Sequence, residues 1–212
     1  MDLTRTRTAL HGIAELLLAG PQYAASGTIR LRVVPGGIAT VAAPDLRLEG
    51  TEIVGAHGRH PLRGRYAEIA AAVGVTPRLL DDVYQDRAGV TADDEVYPDP
   101  NALRTLVEGL AVGDAALRAF APGEEPVLWP EHLDVAISIG EVNYGASPGD
   151  AHLPEPYAYV GPWRPRTGEF WNQSFGAALP LSAFGDADAV AAFFREGAER
   201  AAGDPVAEGT AQ

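Results

Sequence analysis

Apolar positions change period along the chain, and each change predicts an element. Leu10, Ile13, Ala14, Leu16, Leu17 and Leu18 form one helical face ending near Gly20 and Pro21, so a helix of about four turns is expected first. His11 lies beside that face and reads as a surface or packing residue. From residue 27 the period falls to two. Ile29, Leu31 and Val33 alternate with Arg30, Arg32 and Val34, a Pro-Gly-Gly turn follows, and residues 38–43 return. Leu46 and Leu48 alternate again ahead of Ile53. Residues 27–55 therefore read as an antiparallel meander whose apolar side the first helix can cover.

Residues 57–65 read as a connection, 66–75 as a helix, 77–85 as a second short helix, and the acidic stretch 86–100 as a loop. Leu103, Leu106, Val107, Leu110, Ala111, Leu117 and Phe120 recur at helical spacing, with Asp99 or Asn101 available as a cap and Pro122-Gly123 as a stop. Leu133, Val135, Ile137 and Ile139 then share one face of a strand over 133–143, with 156–163 as its antiparallel partner and 170–181 as a further extended piece. A last helix spans 186–202, with Val190, Phe193 and Phe194 on its apolar side, and 203–212 reads as a flexible tail. The expectation is a single α+β domain over 1–202, an antiparallel sheet packed against several helices.

Composition narrows the chemistry more than the fold. Apolar residues make up 46% of the 212 and charged residues 21%, values that suit a folded core and argue against extensive disorder. There is no cysteine, which removes disulfides, thiolate nucleophiles and zinc–thiolate sites. Lysine is also absent, which removes Schiff-base chemistry and a complete phosphate-binding Walker loop. Sixteen arginines stand against 29 acidic residues, and a net charge of -13 disfavours nucleic acid and anionic membrane as partners. The pairs Arg30 with Arg32 and Arg63 with Arg65 read as solvated strand faces. The first apolar run is too short to span a membrane and lacks the order of a secretory signal, so cytoplasm is the default expectation.

Candidate chemistry gathers in residues 140–152. Gly145-Ala146-Ser147-Pro148-Gly149 spells G-x-S-x-G after a strand, but Pro-Gly-Asp follows where a nucleophile elbow needs a helix, and Ser147 reads as a turn residue. If the alternation of 133–139 runs on, Glu141 and Asn143 join the core side, where a carboxylate needs an ion, an arginine or hydrogen-bond donors to compensate its lost water. Asp150 and His152 lie two residues apart beyond a Pro-Gly turn. Glu141, Asp150 and His152 thus form a candidate set for a divalent metal, the imidazole favouring manganese, iron or zinc over calcium. His132 belongs elsewhere, with Asp134 and Glu169, because continuous strand would hold it about 30 Å from Glu141. His57 and His60 lack a nearby third ligand.

Trp129, Tyr144, Tyr157, Tyr159, Trp163, Phe170, Trp171 and Phe175 crowd the same half of the chain, and Gly145 and Gly161 leave room for close approach. Rings around a few polar groups are the usual make-up of a small-molecule pocket. WPEHLD, EVNYGASPGD, PEPYAYVGPW and FWNQSFG resemble an uncharacterised group of actinobacterial proteins over most of the chain. The lysine-free, Ala/Arg-rich composition resembles proteins of GC-rich actinobacterial genomes. That group carries no established activity, so the resemblance implies no residue role.

The leading expectation is a small-molecule-binding protein. Glu141 and Asn143 would make the directional contacts, Tyr157, Tyr159 and Trp163 the walls, and Asp150 or His152 the mouth. A metal-dependent enzyme of hydrolytic type is the alternative, with Glu141, Asp150 and His152 on the ion and Tyr144 or Glu155 assisting proton transfer. A non-catalytic structural or protein-interaction domain is the third reading, and homo-oligomerisation is left open.

Overall fold

The computed structural model describes residues 2–85 and 87–207. Asp2 caps the first helix, α1 (Leu3–Gly12), by accepting the Arg5 N–H at 3.0 Å. The helical run does not stop at Gly20-Pro21. It widens into a π-helical stretch (Ile13–Ala19) and resumes as α2 (Gly20–Ser26), which Gly27 ends in the left-handed conformation. Pro21 falls in the first turn of α2, where a missing N–H is tolerated, so the breaker pair marks a change of helix type and not an end. Every residue of the π stretch is buried, Glu15 included.

The expected meander forms as β1 (Leu31–Val34), β2 (Gly37–Thr40), β3 (Arg47–Glu49) and β4 (Glu52–Gly55), and residues expected to be a connection add an edge strand, β5 (Gly58–Pro61). A short pair, β6 (Gly64–Arg65) with β7 (Glu95–Val96), brackets α3 (Tyr66–Val73). Residues 77–85 make only one turn over Leu80–Tyr84 where a helix was expected. The Arg78 N–H donates to the Leu16 carbonyl at 3.3 Å, so this backbone is spent on the N-terminal helix and not on its own. Helix α4 (Pro100–Phe120) is capped by Asp99, which accepts the Ala102 N–H at 2.8 Å.

The second half supplies β8 (Val127–Trp129), β9 (Asp134–Ile139), β10 (Val142–Ser147), β11 (Tyr157–Pro162), β12 (Ala177–Pro180) and the final helix α5 (Ala187–Gly203). One antiparallel sheet joins both halves in the order β12-β11-β10-β9-β8-β1-β2-β3-β4-β5. The protein is α+β, with helices packed on one face of that sheet over a hydrophobic core drawn from both halves. Helix α4 lies on β9 and β10 so closely that a methyl at Gly113 would stand 2.3 Å from the Ala146 Cβ. No helix among the described residues is long and apolar enough to cross a membrane.

The strand expected over 133–143 is instead a hairpin. Gly140 (φ 58°) and Glu141 (φ 64°) are both left-handed, the conformation of a two-residue type I′ turn, and Ile139 pairs with Val142 across it. The core face consequently passes from Val135 and Ile137 to Val142, Tyr144 and Ala146, while Ile139, expected in the core, is exposed beside the turn. Asn143 goes to the opposite face and Glu141 to solvent. The expected tail divides as well. Trp171 Nε1 donates to Asp204 at 3.0 Å, Thr167 N to the Pro205 carbonyl at 2.9 Å, and Ala207 N to the Pro165 carbonyl at 2.8 Å, so 203–207 dock on the loop after β11. Residues 208–212 lie outside the described residues.

Candidate functional site

The hairpin decides which side chains share the sheet face turned away from α4 and α5. Ser147 pairs with Tyr157, Gly145 with Tyr159 and with Ala136, and Asn143 with Gly161 and with Ser138. Side chains two apart on a strand point the same way, so Asp134 joins this set from the start of β9. A concavity of about 1210 Å³ opens there. Asp134, Ser147, Asn143 and the two tyrosines lie along the strands, Trp163 and Phe175 stand near the β9–β10 turn, and Arg7 and His11 of α1 border the other end.

Asp134 is the most unusual group in this space. It is 7% exposed, accepts the Tyr159 hydroxyl on Oδ2, and has no partner for Oδ1. Burial drives its carboxyl above the ordinary aspartate range; the Tyr159 hydrogen bond and His132 oppose that rise without cancelling it. Tyr159 reaches Asp134 from two strands away because nothing intervenes at Gly145, where an added Cβ would meet the phenol ring at 2.6 Å. Burial, reinforced by Asp134, holds the Tyr159 hydroxyl protonated well above its ordinary range.

His11 carries the second unpartnered atom of the concavity, Nε2. Burial lowers the pKa of the imidazole and His132 adds to the effect, while the carbonyls of Pro130 and Glu131 oppose it. Beneath this end, Glu15 is fully buried, with Oε2 accepting the Ala88 N–H at 3.0 Å and Oε1 without a partner; the buried Tyr84 hydroxyl also lacks one.

At the far end the polar groups are tied together. Asn143 Oδ1 accepts from Ser138 Oγ at 2.7 Å and from Trp163 Nε1 at 3.1 Å, and the Trp163 N–H donates to the Glu141 carbonyl at 2.9 Å. The indole is thus fixed although 63% exposed, and the Asn143 amide keeps its N–H groups to offer. Phe175, 43% exposed, stands 6.4 Å from Tyr159, edge to face.

Several expected site residues have other duties. Glu141 is exposed in the turn and contributes only its carbonyl. Asp150 organises a loop: it accepts the N–H groups of His152 (2.6 Å) and Leu153 (2.8 Å) and the Tyr157 hydroxyl (2.8 Å). Burial raises its carboxyl pKa, but these donors prevail and hold it below its ordinary range. Arg7 locks the same loop through the carbonyls of Pro154 (3.0 Å) and Asp150 (3.2 Å). His152 is exposed at the rim. Strand β10 alone separates Glu141 from Asp150 by at least about 17 Å, so the proposed metal ligands Glu141, Asp150 and His152 are not assembled. Among the described residues no three His, Asp or Glu side chains are grouped to hold a metal.

Ser147 ends β10 buried, its Oγ accepting the Gly149 N–H at 3.1 Å, and loop follows where an elbow would place a helix. Tyr144 belongs to the core, 4.7 Å from Phe120, and Glu155 is exposed. Glu169 is exposed and does not line the concavity, whereas His132 and Asp134 do. His11 and the Tyr159–Asp134 contact were missed in the sequence; the available signal was the Val142, Tyr144, Ala146 alternation, offset by three from Ile139. No family model matches the chain, and searches of curated proteins and of solved structures likewise return no match.

Proposed function

We propose that this protein binds a small organic molecule on the open face of its sheet, between the Asp134–His11 end and the Trp163–Phe175 end. The observation that carries the reading is the buried Asp134 carboxyl with an unpartnered oxygen beneath a concavity of about 1210 Å³. A buried acceptor without a partner destabilises a fold by about 1–3 kcal/mol, and such groups are retained where something other than stability requires them. Around it, exposed aromatic rings and a few directional polar groups make the mixture that encloses small ligands. The metal-dependent alternative has less support, since among the described residues no three His, Asp or Glu side chains are grouped to hold a metal.

Crystals soaked with a panel of small aromatic and polar fragments test this reading. Fragment density against Tyr159, with a polar atom directed at Asp134 or His11, is the expected result. Density confined to other surfaces, with the concavity holding water alone, overturns it.

A further inference from the structure

We infer that the ligand is an arylalkylamine-type organic cation, its ammonium directed at Asp134 and its planar apolar group lying against Trp163 and Phe175. This inference rests on the ligand-binding reading above and adds the chemical class. Asp134 has one oxygen taken by Tyr159 and one left over. A single hydroxyl of a neutral ligand could supply the missing hydrogen bond, but not the positive charge that favours ionisation of a carboxyl whose charged form burial penalises. An ammonium supplies both, and a charge-assisted hydrogen bond is roughly twice as strong as a neutral one.

No side chain among the described residues makes a contact ion pair with that carboxyl; His132 acts on it only from farther off. Arg7 spends its guanidinium on two loop carbonyls, and Arg87 lies 3.9 Å from Asp81. His11 is kept neutral by burial. His132 is exposed on the lining of the concavity and forms no ion pair with the carboxyl.

Tyr157 and Tyr159, with ring centroids 6.2 Å apart, line the concavity beside Asp134 and supply apolar wall there. The net charge of -13 draws cations toward the whole surface. Length is set by the register. Ser147, at the Asp134 end, and Asn143, which holds the Trp163 indole, are four residues apart on one strand, about 13 Å. An ammonium carried on a short chain from a bicyclic or monocyclic ring spans most of that distance.

Isothermal titration of the intact protein with three indoles that differ only at the head group separates the outcomes: tryptamine (cation), tryptophol (neutral) and indole-3-propionate (anion). Tryptamine is expected to bind at least about tenfold more tightly than either of the others. Asp134→Asn should abolish that preference, whereas Trp163→Ala, a change at an exposed position that leaves folding intact, should weaken binding of tryptamine and tryptophol alike. Equal or tighter binding of tryptophol or indole-3-propionate, or an undiminished preference in Asp134→Asn, overturns the assignment of an organic cation while leaving the concavity a binding site. If none of the three binds, the organic-cation assignment falls, and if fragment soaks also leave the concavity empty, the binding-site reading falls with it.

Discussion

Tyr159 crosses β10 above Gly145 and donates its hydroxyl to Oδ2 of Asp134, joining β11 to β9 over the strand between them. The contact fixes a carboxyl in a desolvated position yet satisfies only half of it. Stability and binding therefore make opposite demands on Asp134, and the consequences are measurable.

The first concerns pH. Because the folded-state pKa of Asp134 lies above its unfolded value, the native state holds a proton that the unfolded chain releases. Stability from this group is fully present below the ordinary aspartate pKa of about 3.9 and is lost as pH rises through the folded value. In Asp134→Asn this loss is absent. The stability difference between variant and wild type, measured by denaturant unfolding at a series of pH values, should grow in the variant's favour from acid toward neutrality.

Asp150 has the opposite sign. Its folded pKa is depressed, so its contribution is present above the unfolded value and disappears as pH falls through the folded one. The loop over 148–155 should open first on acidification. Protection of the His152 and Leu153 amides against hydrogen exchange, both of which donate to Asp150, should fall relative to the intrinsic rate below about pH 4, and Asp150→Ala should show the lower protection already at neutral pH.

Glu141 is left-handed without being glycine. Glu141→Gly should stabilise the hairpin by about 0.5–1 kcal/mol, since the side chain is exposed and only backbone strain is removed. Thermal unfolding checks the sign, and binding of any ligand of the concavity should be unchanged.

Gly145→Ala should do the reverse. The new methyl would lie 2.6 Å from the Tyr159 ring, pushing the phenol off Asp134 at a cost of about 1–3 kcal/mol. A lowered melting temperature together with altered near-ultraviolet circular dichroism of tyrosine is the expected signature.

Much of the architecture could be read in the residues because it follows local periodicity. The Leu103–Leu117 stripe of α4, its Asp99 cap and the alternation of Leu31 and Val33 each follow from spacing alone. What failed was phase. Gly140-Glu141 lacks the Asn-Gly character that announces a two-residue turn, and an apolar, polar alternation looks the same along one long strand or around a hairpin until Val142 breaks it. That single turn moved Glu141 out of the site and Asn143 to the open face. Tyr157, Tyr159 and Trp163 did come together, since strand parity and adjacency sufficed to place them. Asp134 depended on Tyr159 reaching across β10, and His11 on α1 meeting the chain at Pro130 and Glu131, long-range contacts that no local pattern encodes. The run past Gly20-Pro21 was hidden for a related reason: the π-helical stretch takes its stability from complete burial, not from propensity.

The most direct test is the thermal unfolding of wild type and Asp134→Asn at neutral pH, each with and without tryptamine. The variant should melt a few degrees higher without ligand, at about 2–4 °C per kcal/mol for a chain of this size, and its melting temperature should respond to tryptamine far less than that of the wild type. A variant that melts lower than the wild type, or one in which tryptamine raises the melting temperature just as much, would contradict the assignment of Asp134 to ligand binding.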